Sequence, residues 1–360
     1  MPKRFPHSAA GRGFNMLRPA ATTRFRVRTL IFAMLFAFAF TGYIQRSGLS
    51  IAAEQMMPTL GLSQVEIGWL FTAFLATYTV LQIPGALVGQ WLGARRVLTA
   101  IGLLTLFGTI VTAAAPWIAA AGILFTALLL ARGLVGAAQS ALFPIASGTI
   151  RHWYPVSRWA TFQSTIVMGL WLGAAAASPL VAWLMSAYGW QAALVLSSLP
   201  SLLLVVLWYS FARDRAELHP RVSASELAEL QDNPSFDARA PLTRRRVMRV
   251  LANPQILRIT AAYFIMNYVF YLVMFWSFLY LVQERGFSVL QSGWLSSLPF
   301  VSAGLAAAAG GRLTDALRMR FGDRIGMRIL PLAALPCAAL LLYLTVSATD
   351  PCRAVAALCL

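Results

Sequence analysis

Long apolar blocks alternate with short polar ones along most of the chain. A helix needs roughly 20 apolar residues to cross a hydrocarbon core. On that scale the pattern predicts nine spans, at 29–52, 65–92, 96–115, 118–149, 159–187, 190–211, 258–282, 289–313 and 327–347, with a tenth beginning near Ala354. Spans two, four and five are long enough to tilt or to extend past the bilayer. The segment 212–257 is polar and divides six spans from the rest. Within it, "RVSASELAELQD" predicts a short amphipathic helix opened by Ser223 or Ser225, and the remainder reads as a tether. The pattern therefore predicts an all-α membrane protein in two bundles. A tail at 1–28 leads into a six-helix bundle at 29–211, a linker at 212–257 and a partial second bundle at 258–360.

Charge orients these spans. The net charge is +17, and Lys3 is the one lysine beside a large excess of arginine. Arginines collect in the tail (Arg4 to Arg28), at Arg95 and Arg96, at Arg151 and Arg158, through the linker, and from Arg312 to Arg328. The intervening loops are neutral, acidic (Glu54, Glu66) or mixed (Glu284 with Arg285). Arginine bias near span ends sets orientation, so the N-terminus and the linker are expected in the cytoplasm of a cell whose plasma membrane holds the chain. The basic start followed by Leu30–Phe40 is similar to a signal peptide. Because further spans follow, it reads as span one; Met16 offers a second start.

Composition removes several function classes. At 11% charged residues, the chain cannot cover a soluble surface in the usual way. Basic loops between apolar spans explain the pI better than nucleic-acid binding does. Cys337, Cys352 and Cys359 form no C-x-x-C pair and have no nearby histidine, so no metal, cofactor or disulfide framework is expected. No nucleophile with a base, and no paired carboxylates, stands within the spans, so an enzyme is not expected.

Four stretches, in order and covering five spans, carry a family resemblance. "GWLFTAFLATYTVLQIPGALVGQWLGARRVL" resembles the second span and following loop of a major facilitator superfamily transporter, and most of all its anion:cation symporter branch. Tyr78, Gln82, Ile83, Pro84 and Gly85 carry that likeness. "ARGLVGAAQSALFPIASGTIRHWYP" is similar to the fourth span and "GLWLGAAAASPLVAWLMSAYGW" to the fifth. "YLVQERGFSVLQSGWLSSLPFVSAGLAAAAGGRLTDAL" resembles the seventh and eighth, including Leu298–Phe300. The resemblance implies the major facilitator fold, twelve spans in the family against nine to ten here, and a monomer that moves a small anionic solute through a lipid bilayer. It also implies cytoplasmic latches at Gly93, Arg95 and Arg96 and at Gly311 and Asp315. In the first latch Gln90 and Trp91 stand where the family has Asp-Arg, so that latch is expected to be weaker. The missing spans leave a fragment, a truncated product without transport, or a transporter-derived sensor as alternatives to a working carrier.

The sites implied by the resemblance lie in spans one and four. There the branch carries Tyr-x-Asp-Arg and an arginine followed by a glutamate; the arginines bind substrate and the acids carry protons. Here the same positions read Tyr43-Ile-Gln45-Arg46 and Arg132…Gln139, so both arginines stand and both acids are amides. Guanidinium stays charged, and a charge in mid-membrane costs about 2.5 kcal/mol or more. Arg46 and Arg132 therefore need a carboxylate, water or an anionic ligand, unless they snorkel to an interface. Apart from Glu66 at the very start of the second, no acid falls within a predicted span; Glu54 is just past the first and Asp315 ends the eighth. Tyr43, Gln45 and Gln139 either contact the ligand or pack between helices. Tyr78 and the stripe Tyr263, Asn267, Tyr271 either line the pocket or pack. Trp69, Trp153, Trp190 and Trp276 read as interface anchors. Without acids at 45 and 139, transport is expected to be facilitated, by exchange, or coupled through a residue beyond the sequence.

Overall fold

Proline and glycine decide where the apolar runs break into helices. The computed structural model describes residues 27–118, 120–231, 233, 248–249, 252–348, 350, 353 and 356–357. The basic tail through residue 26, the segment 234–247 and the tenth span near Ala354 lie outside the described residues. The helices are α1 (Val27–Leu60), α2 (Gln64–Leu92), α3 (Ala94–Ile118), α4 (Leu124–Gln139), α5 (Leu142–Trp153), α6 (Trp159–Phe211), α7 (Ala224–Ala228), α8 (Pro254–Leu279) and α9 (Val289–Ser347). No strand occurs among the described residues.

The fourth predicted span divides into α4 and α5. Pro144 has no N–H to give the Ser140 carbonyl, which explains an interruption at that level. Gly189 breaks α6 at φ +80, a backbone that glycine adopts freely, into the two spans that the sequence predicts. Ser63 and Glu66 form a capping box at the start of α2, and Asn253 with Pro254 opens α8. Seven helices among the described residues are long and apolar enough to cross a membrane, counting Thr161–Phe211 as one.

Lipid removes the hydrophobic drive between helices, so close approach matters more. A Cβ on Gly173 would strike the Phe40 backbone, and one on Gly48 would touch Leu194. These glycines let α1 lie directly against both limbs of α6. Two apolar cores result. One gathers the start of α1 with Leu98, Ile145 and Trp208; the other gathers Leu49–Met57 with Phe74, Leu194 and Phe278. α1 passes from the first to the second between Ala39 and Tyr43, and its polar residues follow at once. Trp153 and Trp190 are both 2% exposed and belong to these cores, so they are not interface anchors; Trp69 is exposed.

The linker is not all tether. Residues 212–231 fold back onto the arginine-rich end of the helices. Arg28, 4% exposed, holds the Glu229 carboxylate with both terminal nitrogens at 2.6 and 3.1 Å, and its Nε lies 3.8 Å from Glu226. Tyr154 donates to the Arg28 carbonyl at 2.8 Å, and the Asn233 amide donates to the Tyr154 and Arg151 carbonyls. The His219 ring packs on Trp153 and Phe211; burial lowers its pKa, which suits a neutral ring there. Arg28→Met should remove the bidentate pair and leave Glu226 and Glu229 without their cation. A buried pair broken on one side costs about 3–5 kcal/mol, and the partial exposure of Glu229 brings this to about 1–2 kcal/mol. Hydrogen exchange should therefore quicken across 216–231; unchanged protection would contradict the docking role.

Candidate functional site

Arg46 lies near the middle of α1 and is 1% exposed. Its Nη1 donates to the Tyr43 hydroxyl at 3.0 Å and to the Tyr271 hydroxyl at 3.2 Å. Its Nε donates to Gln139 Oε1 at 3.3 Å. The guanidinium carbon sits 4.5 Å from the ring centres of Tyr43 and Tyr78 and 4.9 Å from that of Phe74. Each such contact contributes up to about 2 kcal/mol away from water. Arg46 is thus held by rings and phenols from α1, α2 and α8, and no carboxylate bonds to it among the described residues.

Gln139 closes the arrangement in a way that an acid could not. Its Nε2 donates to the Gly42 carbonyl at 3.2 Å while its Oε1 accepts from Arg46. An ionised glutamate accepts only, so it would leave the Gly42 carbonyl without this donor. Gln45 lies on a different face of α1. Its Nε2 donates to Ser201 Oγ on α6 at 3.1 Å. Gln45, Gln139, Ser201 and Thr105 line a small cavity of about 10 Å³, where Thr105 Oγ1 has no hydrogen-bond partner among the described residues.

Arg132 differs from Arg46 in one respect that matters. It is 2% exposed, yet its Nε and Nη2 have no hydrogen-bond partner among the described residues. Its guanidinium carbon lies 5.4 Å from the centre of Phe74, so one ring serves both arginines. Tight α2–α4 packing places it. Thr77 Oγ1 donates to the Gly133 carbonyl at 2.8 Å, and a Cβ on Gly136 would collide with the Phe74 carbonyl and Thr77 Oγ1.

The predicted stripe on α8 separates. Tyr271 reaches Arg46, Asn267 donates to the Tyr263 carbonyl of its own helix at 2.8 Å, and Tyr263 is 62% exposed. Asn267 and Tyr271 instead line a groove of about 760 Å³ between α2 and α8, with Phe71, Thr72 and Trp276. Tyr271 is therefore common to the groove and the cage.

At the arginine-rich end, the turn after α2 finds its acid elsewhere in the chain. Asp214 Oδ1 accepts from the Arg95 backbone N–H at 2.8 Å, at the start of α3. Gly93 has φ +83, and a Cβ there would collide with the Asp214 carboxylate. Arg95 Nε donates to the Tyr209 carbonyl, and its guanidinium stacks on the Tyr209 ring at 4.4 Å. The acid at this turn is thus Asp214, distant in sequence from Gln90 and Trp91. Arg96 is exposed. Gly311 and Asp315 fall on α9, and their side chains lie outside the described residues.

The sequence model of the Major Facilitator Superfamily matches residues 32–360. The chain belongs to the major facilitator superfamily. Among its relatives in that superfamily is a probable galactarate/D-glucarate transporter of Bacillus subtilis, 26% identical over 316 residues, which cover 86% of this chain and 69% of the relative. A probable sulfoacetate transporter of Cupriavidus necator is 26% identical over 83% of this chain and 68% of its own length. A hexuronate transporter of Bacillus subtilis is 27% identical over 79% and 64%. Among solved structures, a bacterial homologue of the human lysosomal transporter Spinster superposes with a TM-score of 0.68 at 18% identity, over 93% of this chain and 73% of that one. Family and relatives are transporters, not enzymes.

Phe74, Thr77 and Asp214 had no place in the sequence reading. Phe74 stands one turn before Tyr78 on α2, which is the one local signal that it shares the Tyr78 face.

Proposed function

We propose that the chain carries a small organic anion, a carboxylate of the sugar-acid kind, across a membrane by alternating access. The observation that carries this reading is the buried Arg132, with two nitrogens unpartnered beside a second, caged arginine. Two buried cations without a carboxylate are costly to hold empty and well matched to an anion. A planar guanidinium offers a carboxylate two parallel donors. Arg132 is the primary receiver; Arg46 supplies field, and Tyr43, Tyr78 and Gln139 hold it in place. The groove at Asn267 and Tyr271 is the approach, and Tyr263 stands at its exposed edge. The relatives named for galactarate, D-glucarate, hexuronate and sulfoacetate support an organic-anion substrate.

The rest of the assignment follows from charge and pattern. Spans 29–211 form the first bundle and residues from 258 begin the second, with an approach between them at the level of the arginines. The arginine-rich end, with the tail and linker, faces the cytoplasm, and the bacterial relatives point to an inner membrane. Gly93, Arg95 and Asp214 form one latch; Gly311 and Asp315 form the other. The carrier works as a monomer. Gln45 and Gln139 do not titrate, so neither binds the coupling proton.

Uptake of labelled D-glucarate, galactarate, a hexuronate and sulfoacetate should be measured in cells lacking their own carriers. At least one should accumulate, and Arg46→Ala should reduce its uptake at least tenfold, about 1.4 kcal/mol. If no anion enters and the purified chain binds none of the four, the reading fails.

A further inference from the structure

With amides at 45 and 139, the cage has no carboxyl group, yet α1 carries one further along. The sequence pattern ends the first span at 52, but α1 continues to Leu60, so Glu54 stands on the same unbroken helix as the first span, just past its expected end. Glu54 Oε2 is buried and has no hydrogen-bond partner among the described residues. The next turn adds to the imbalance. Pro58, four residues on, has no N–H to give the Glu54 carbonyl. Glu54 as a whole is partly exposed, so its carboxyl group meets water on one side while Oε2 is buried and unpartnered on the other, a setting that favours uptake of a proton.

Glu54 also stands on a polar line. Tyr43, Ser47, Ser50 and Glu54 fall at i, i+4, i+7 and i+11, one face of a helix. Tyr43 and Ser47 are 3% exposed and Ser50 is 2% exposed. Ser47 Oγ, like Glu54 Oε2, is buried without a partner, and Ser50 donates to the Ser47 carbonyl. At its far end Tyr43 accepts from Arg46. At 1.5 Å per residue the line runs about 16 Å.

The charged and titratable groups on the helices around α1 are occupied or distant in register. Glu66 on α2 is bound to Ser63. At the end of α8, Arg285 is bound to Tyr280, Thr345 and Ala348, and Glu284 stands beside it. Tyr78 and Tyr271 belong to the Arg46 cage, while Tyr263, Tyr268 and Arg258 lie earlier on α8. α6 offers Tyr188 and Tyr209. Arg95 and Arg96 of α3 and Arg151 and His152 of α5 belong to the arginine-rich end. No hydrogen bond or ion pair joins any of these to Glu54 among the described residues.

We propose that Glu54 is the proton-binding residue of this carrier, and that its protonation state sets the anion affinity of the arginine cage. The proposal rests on the anion-carrier reading. As a carboxylate, Glu54 offsets part of the positive potential at Arg46 and Arg132. Taking a proton from water forms one O–H bond at Oε2 and removes that offset, so the cage binds an anion more tightly as the pH falls. Arg46 lies about 12 Å from Glu54 along the helix axis, and charges about 12 to 16 Å apart at an effective dielectric of about 20 change affinity about five- to tenfold.

The test uses the purified full chain, infrared difference spectra and D-glucarate as the probe. Between about pH 8 and about pH 5 the wild type should gain a protonated-carboxyl band that Glu54→Gln lacks. D-glucarate affinity should rise about five- to tenfold over the same range in the wild type and stay flat in Glu54→Gln. A band that persists in Glu54→Gln, or an unchanged pH dependence, overturns the proposal. A Glu54 band without D-glucarate binding at any pH overturns the link to the cage and counts against the carrier reading; binding that is strong but independent of pH overturns the link alone.

Discussion

Arg132→Ala should lower the affinity for the transported anion by at least a hundredfold. The wild-type side chain is buried and presents two unpartnered nitrogens. A carboxylate that binds there gains a charge-assisted pair out of water, and removing one partner of such a pair costs about 2–5 kcal/mol. A hundredfold is about 2.7 kcal/mol, within that range. The apo protein should respond in the opposite direction, because alanine removes a buried cation that no carboxylate pairs with among the described residues. A higher melting temperature with lost binding is therefore the expected pair of results, read by thermal unfolding and calorimetry. Retained affinity would move the site away from α4.

Gly136→Val is expected to be the most damaging substitution to the scaffold. Even a Cβ there meets the Phe74 carbonyl and Thr77 Oγ1. Valine adds two further methyl groups, so α2 and α4 must separate. Overpacking costs typically 1–3 kcal/mol, and more where backbone cannot yield. The same shift carries Phe74 away from both guanidiniums and strains the Thr77–Gly133 hydrogen bond. Folded yield in detergent and melting temperature should both fall sharply, and anion affinity should fall with them. Normal stability together with normal affinity would show that the α2–α4 contact does not position the arginines.

The arginines were legible because a charge stands out in an apolar run. Tyr43 and Gln139 were legible through their spacing from those arginines and Tyr78 through the family resemblance of its stretch, and the structure gathers all three around Arg46. Phe74 was not, since one phenylalanine among 22 carries no local mark. Of the two readings of Gln45 the structure shows the packed one, for a geometric reason: neighbours on a helix point about 100° apart, so the residue beside Arg46 meets Ser201 on another helix. Asp214 pairs with Arg95 across 119 residues, a separation that no local pattern encodes. The apolar signal ends before Glu54 because Glu54, Gln55 and Pro58 lower it, whereas the backbone stays helical to Leu60. Most helix limits were readable for the converse reason: glycine and proline punctuate them locally.

The two glutamines have an electrical consequence. Because neither titrates, the charge on the two arginines is fixed at two, whatever the acidity on either side. If access to the site alternates, those charges cross part of the membrane field, worth about 2.3 kcal/mol per charge per 100 mV for a full crossing. A dicarboxylate cancels both and makes the loaded site indifferent to voltage. A monocarboxylate cancels one. The valence of the cargo therefore decides which half of the cycle the membrane potential drives.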